Sequence, residues 1–342
     1  MVLFTICLSC LGCAVEKAND GSKSHHAKGG FTNIYSSDSG RLLDFLKWRW
    51  ERMWKKIPPP EAYHFPMAQN DPGFLEANRE KTTLTWIGHA TVLFQLEGQN
   101  ILTDPHFTER ASPVRWAGPK RVAPPGLALE DLPPIDAVVI SHDHYDSLDE
   151  QTIRGLRGRP DGDKTRFFVP LGLKSWFQAL GVENVTELDW WEERAAGPLT
   201  VTAVPVQHWS KRGFAPRNRT LWAGWVIRSD RFRFFFAGDS GYTPHFDELG
   251  KKLGPFDLSA IPIGAYEPRW FMRRHHVSPE EAVQVHRDIR SRKSVAIHWG
   301  TFILTDEPLD EPPARLKKAM DERRLPPEAF VVLKHGETIT LE

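Results

Sequence analysis

The sequence is poor in cysteine, has no excess of charge of either sign, and carries no long apolar run in its body. Its three cysteines, Cys7, Cys10 and Cys13, all precede residue 14. No internal disulfide can form beyond that point, so the redox compartment is not legible from the body of the chain. Lys plus Arg and Asp plus Glu each number 44, giving a formal net charge of zero. A neutral chain offers no electrostatic footprint for nucleic acid, and no nucleic-acid partner is expected. Met1–Val15 is too short to span a bilayer, and no other stretch comes close. No internal repeat is apparent.

What is present suits a globular protein: of 342 residues, 40% are apolar and 26% charged. Twenty-seven prolines point to long ordered loops rather than a helical bundle. Residues 1–35 read as a signal-like or anchor segment followed by a flexible linker. The Met1–Val15 run resembles a shortened secretory or lipoprotein signal, although it lacks a basic start and has Cys10 where a lipobox prefers Leu. Cysteine spacing there also superficially suits a metal. Within the linker, His25 and His26 read as solvated rather than ligating. Residues 36–80 form an extension whose main element is a helix over Arg41–Ile57, closed by Pro58-Pro59-Pro60. Leu43, Leu46, Trp50, Met53, Trp54 and Ile57 recur at three- and four-residue steps among six basic residues. Such a helix can lie on an anionic membrane surface or pack its apolar side on the domain. Residues 81–342 read as one catalytic domain.

Within that domain, Lys81–Trp86, Thr91–Leu96 and Asn100–Thr103 read as short β segments, and Ile135–Ile140 as a buried strand. Straight after the last comes Ser141-His142-Asp143-His144-Tyr145-Asp146-Ser147. Two imidazoles and a carboxylate on one turn can be aimed at a single point, and these are the donors a zinc-like ion takes. A polar loop capping the next helix is the plainer alternative. Three later apolar runs end in the same chemistry, at His208, Asp239 and His298. His89 and Asp104 are read either as outer partners that orient ligands or as structural groups. A long loop over Gly264–His276 contains Trp270, Phe271 and Met272 followed by Arg273 and Arg274. This reads as core or as an apolar wall with phosphate-attracting edges. β runs followed by βα units, twice over, suggest two sheets covered by helices on their outer faces.

The His-x-His-x-Asp loop with His208, Asp239 and His298 resembles the metallo-β-lactamase superfamily. Longer motifs narrow the resemblance. Trp86-Ile87-Gly88-His89-Ala90-Thr91-Val92, Leu102-Thr103-Asp104-Pro105 and Glu187-Leu188-Asp189-Trp190-Trp191-Glu192 are similar to the N-acylphosphatidylethanolamine-hydrolysing phospholipase D family and its bacterial relatives. So are Phe234-Phe235-Phe236-Ala237-Gly238-Asp239, Ile263-Gly264-Ala265-Tyr266-Glu267-Pro268-Arg269-Trp270 and Ala296-Ile297-His298-Trp299-Gly300-Thr301. The resemblance implies an α/β fold, an αββα sandwich of two mixed β-sheets flanked by helices, with the metal site at one edge. It places His142, His144 and His208 on one Zn2+, Asp146 and His298 on a second, and Asp239 between them. It implies a second His directly after Asp146, where this chain has Ser147. The second ion is therefore expected to be held more weakly.

The implied activity is hydrolysis of N-acylphosphatidylethanolamine to N-acylethanolamine and phosphatidate, by a hydroxide held at the metals. Asp239 would relay the proton. His276 matches a family histidine and would bind phosphate or assist the leaving group, unless it is a loop histidine without a chemical role; His275 reads as inert. The expected partner is a membrane phospholipid, met at a peripheral membrane location, and a homodimer is admitted. Two alternatives remain open: the same fold acting on another phosphodiester or a lactone, and a binding protein whose metal site has decayed, starting at Ser147.

Overall fold

The computed structural model describes residues 23–36 and 42–341. The Met1–Val15 segment with its three cysteines, residues 16–22 and Arg41 lie outside the described residues.

A short hairpin, β1 (His26–Ala27) and β2 (Gly30–Phe31), comes first, followed by α1 (Leu42–Arg52) and α2 (Pro72–Ala77). The first sheet begins with an antiparallel meander, β3 (Thr82–Gly88), β4 (Thr91–Leu96) and β5 (Gln99–Thr103). It continues in parallel through β6 (Ala137–Val139), β7 (Arg166–Pro170) and β8 (Val185–Leu188), with α3 (Glu150–Arg157) and α4 (Lys174–Ala179) as crossovers. The second sheet repeats this plan. β9 (Glu193–Ala196), β10 (Leu199–Val204), β11 (Gly224–Arg228) and β12 (Arg233–Phe236) are antiparallel. β13 (Phe256–Pro262), β14 (Ser291–Ile297) and β15 (Phe330–Val331) then run parallel to β12. Helices α5 (His245–Lys252), α6 (Arg269–Met272), α7 (Pro279–Asp288) and α8 (Glu311–Glu322) belong to this half. The final strand, β16 (Thr338–Leu341), returns to pair with β3 and completes the first seven-stranded sheet.

The strands read as nearly continuous apolar runs because both faces of each sheet are covered. Period-two alternation sorts the side chains of the first sheet. Trp86, Phe94, Val139 and Phe168 face the second sheet and meet Trp225, Phe234 and Val201 in the inter-sheet core. Their neighbours Ile87, Leu93, Val138 and Phe167 face the other way, onto Ile153, Leu156 and Phe177 of α3 and α4. Each fully buried side chain of this size contributes roughly 1.5–3 kcal/mol. Helix starts follow local chemistry. Asp149 caps α3 by accepting from Thr152 N, and Ser278 with Glu281 forms a capping box on α7.

Two sequence expectations are corrected. Residues 23–35 are not a flexible linker, and His25 and His26 are not solvated. His25 Nε2 lies 2.6 Å and His26 Nε2 2.9 Å from the two oxygens of Asp189, and His25 stacks on Trp190. Phe31 enters the inter-sheet core. No periodicity marks so short a hairpin; a buried carboxylate distant in sequence holds it. The helix expected to reach Ile57 ends at Arg52, with residues 53–55 turning through i→i−3 hydrogen bonds. Pro58 disfavours helical geometry at Ile57, and the final turn opens early. Its apolar face is not core either: Trp48 is buried, but Leu43, Leu46, Trp50, Met53 and Trp54 are exposed.

Candidate metal centre

Six chain segments deliver polar side chains to one edge of the sandwich, mostly at the carboxyl ends of strands. The loop after β6 supplies His142, His144 and Asp146, and the segment after β10 supplies His208. Asp239 follows β12, His298 follows β14, His276 precedes α7, and His89 sits on the β3–β4 turn. Gly238 is required here. It has φ +59°, and a Cβ on it would meet Ser141 Cβ at 2.5 Å. Only glycine lets the loop from the second sheet approach the β6 loop so closely.

Three imidazole nitrogens converge. His142 Nε2 lies 2.7 Å and His208 Nε2 3.2 Å from His144 Nδ1. The opposite nitrogens of two rings are already engaged. His208 Nδ1 donates to the His275 carbonyl at 2.9 Å. His142 Nδ1 meets Ser141 Oγ at 2.8 Å, and Ser141 Oγ in turn donates to Asp104 Oδ2. Asp104 Oδ1 accepts from Ser141 N at 2.6 Å. Both Nε2 atoms therefore present lone pairs to the same point. Burial and neighbouring imidazoles push His142 and His208 well below the usual histidine range, so both stay neutral. Converging neutral nitrogens repel one another unless a cation sits among them, and a divalent metal fits this donor set.

A second group lies beside the first. His298 Nε2 is 3.1 Å from Asp239 Oδ1 and 3.5 Å from Asp146 Oδ2; Asp146 Oδ2 is 3.2 Å from His89 Nε2. Asp239 Oδ2 faces the first group, 3.7 Å from His142 Nε2 and 3.9 Å from His208 Nε2. One carboxylate thus offers an oxygen to each group. Asp239 Oδ1 and His298 Nε2 are buried and close, yet misaligned for a hydrogen bond. Orphaned buried polar atoms aimed at a common volume are what a metal site looks like from the protein side. Burial opposes charge on His298, but the Asp239 and Asp146 carboxylates push its imidazole up to about 10. Burial likewise opposes charge on Asp146, but the close approach of the His298 imidazole and the hydrogen bond with His89 hold it well below the carboxylate range. A metal ion and the His298 proton compete for the same nitrogen.

All six residues expected as ligands come together, and so does His276. Its ring lies 5.2 Å from that of His208 and 5.3 Å from that of His298, and its Nδ1 is buried without a partner. Sequence reasoning left Asp104 undecided; it anchors the His142 ring through Ser141. It also treated His275 as inert, yet the His275 main-chain carbonyl orients His208. A backbone contact of that kind leaves no mark on residue identity.

A beta-lactamase superfamily domain matches residues 99–299 of the chain. N-acyl-phosphatidylethanolamine-hydrolyzing phospholipase D 1 of Caenorhabditis elegans is 46% identical over 74% of this chain and 74% of its own length. The chain belongs to the β-lactamase superfamily. It is a metal-dependent hydrolase, similar to the phospholipase D branch of that superfamily. The uncharacterized protein Rv0906 of Mycobacterium tuberculosis is 40% identical over 80% of this chain and 72% of its length. Igni18, a metallo hydrolase from Ignicoccus hospitalis, shares the fold with a TM-score of 0.59 at 22% identity, covering 77% of this chain and 99% of its own.

Proposed function

We propose that the protein is a two-zinc phosphodiesterase that hydrolyses N-acylphosphatidylethanolamine to N-acylethanolamine and phosphatidate at a membrane surface. The observation that carries this reading is Asp239, with one oxygen toward each of two donor groups. His142, His144 and His208 would hold one ion, and Asp146 and His298 the other. Bound there, the ions would acidify water and withdraw charge from the phosphoryl oxygens.

The chain's own residues supply the rest. Asp239 accepts a proton from the attacking water as its oxygen bonds to phosphorus. The bond from phosphorus to the ethanolamine oxygen breaks, and that alkoxide takes up the proton held on Asp239 as N-acylethanolamine leaves, which returns Asp239 to its carboxylate. Burial and the nearby His298 keep His276 well below the usual histidine range, so it is neutral and can offer an N–H to a phosphoryl oxygen.

A surface for the diacyl substrate supports the same reading. The exposed apolar side chains of α1 sit among exposed Lys47, Arg49 and Lys56. Trp48 stacks on Phe271 at 5.3 Å, and Lys47 Nζ lies 4.5 Å above the Trp270 ring. This ties α1 to the segment that runs on to His275 and His276. Basic and aromatic side chains on one face suit anionic phospholipid. Among the described residues, no helix is long and apolar enough to cross a membrane.

The test is release of N-acylethanolamine from vesicle-borne N-acylphosphatidylethanolamine, with and without added zinc, beside His142→Ala. Zinc-dependent release, lost in the variant, is expected. Hydrolysis of a soluble phosphodiester but not the lipid would overturn the substrate. Inactivity on both substrates, with no metal bound, would favour a binding protein.

A further inference from the structure

We propose that His89 takes the place of the histidine missing after Asp146 and completes the second metal site with Asp146, Asp239 and His298. The inference rests on the two-metal reading above and concerns how this chain satisfies it.

Ser147 is fully buried, and its Oγ has no hydrogen-bond partner. A neutral hydroxyl is a weak donor to zinc, so the β6 loop itself leaves the second group one strong ligand short. His89 reaches the same group from the β3–β4 turn. Its ring centroid lies 4.0 Å from that of His298, and the ligand atoms of His89, Asp146 and His298 lie within 4.8 Å of one another. That spacing allows all three to meet one ion.

The turn holding His89 is built for this placement. His89 has φ +53°, in the left-handed region that a non-glycine residue occupies at a cost of about 1–2 kcal/mol. Its N–H donates to Thr301 Oγ1 at 2.8 Å. Its carbonyl accepts from His298 N at 2.8 Å and from the Trp86 indole at 3.0 Å. The backbones of His89 and His298 are thus locked together, which fixes their rings side by side. Backbone strain of this kind clusters at functional sites, and here it is shared by His298, with φ +58°.

The competing role is positioning, in which His89 Nε2–H only donates to Asp146. Metal content and zinc affinity separate the two roles without reference to turnover. Wild type is expected to bind two ions. In His89→Asn, whose side chain tolerates positive φ but is too short to ligate, the second ion should weaken by more than about 100-fold. That exceeds what loss of an orienting partner costs. The first ion should remain, and Ser147→His in the same chain should restore the second. Proton NMR of cobalt-substituted wild type checks this with no mutation at all. Five ligating histidines should give five paramagnetically shifted imidazole spin systems, whereas a positioning role gives four. Two ions held equally tightly in His89→Asn, or four shifted imidazoles, would overturn the proposal. Wild type that binds no metal, or one ion only, would instead overturn the two-metal reading.

Discussion

The two donor groups differ in how they are held. In the first, His142 and His208 each have their outer nitrogen anchored, one through Ser141 to Asp104 and the other to the His275 carbonyl. In the second, the outer nitrogens of His298 and His89 are both buried without partners. Outer hydrogen bonds select the tautomer and orient the ring before metal arrives. Two of the three imidazoles in the first group are therefore pre-organised, His144 Nε2 alone being buried without a partner. The second takes its shape from the carboxylates Asp146 and Asp239 and from backbone contacts. Equal numbers of donors need not give equal affinity, because the orienting cost falls on one imidazole of the first group and on both of the second.

The harshest way to break the contrast is to remove the approach that both groups share. Gly238→Ala adds a Cβ 2.5 Å from Ser141 Cβ at a residue with φ +59°. Overpacking and strain together should cost about 3 kcal/mol, lowering the thermal midpoint and both metal affinities. Equilibrium unfolding and metal titration would expose an unchanged variant.

A narrower cut is Ser141→Ala, which disconnects His142 from Asp104 without touching the second group. The first ion should weaken about 10–100-fold, while the second is little altered. In wild type, brief chelation should strip the second ion first. Equal sensitivity of both ions, followed by a metal-selective dye, would remove the contrast.

The smallest effect concerns acid stability away from the ligands. Burial pushes His286 and His335 down from 6.5 to about 4. Their folded values lie below the unfolded one. Between those limits the unfolded chain binds more protons, and stability falls as pH drops from about 6.5 to about 4. Denaturation midpoints at stepped pH should show this slope in chelated protein as well. His286→Gln should reduce it and leave the His335 share; an unaltered slope would remove His286 from the account.

How far these features could be read in advance depends on their range along the chain. The β6 run ending at Ile140 and the His-x-His-x-Asp turn after it are local, and both were legible. So were the strand ends at His208, Asp239 and His298, because burial on two faces writes apolar runs and a ligand residue interrupts them. The hairpin over residues 23–35 was not. Its anchor is Asp189, more than 160 positions away in sequence. The α1 helix was legible as amphipathic, but its boundary and its bare apolar face were not, since neither follows from periodicity.

The sequence by itself determined the two-sheet architecture, the chemical kind of site and six of its donors, since these depend on alternation and residue type within short windows. Only the tertiary structure decided which donors face each other. It divided Asp239 between two groups, set Asp104 and the His275 carbonyl behind the imidazoles, and brought His89 beside His298 where Ser147 falls short. Such contacts join segments up to about 200 residues apart, as His89 and Thr301 do across 212 positions. Their geometry comes from how two sheets pack, which no local pattern records.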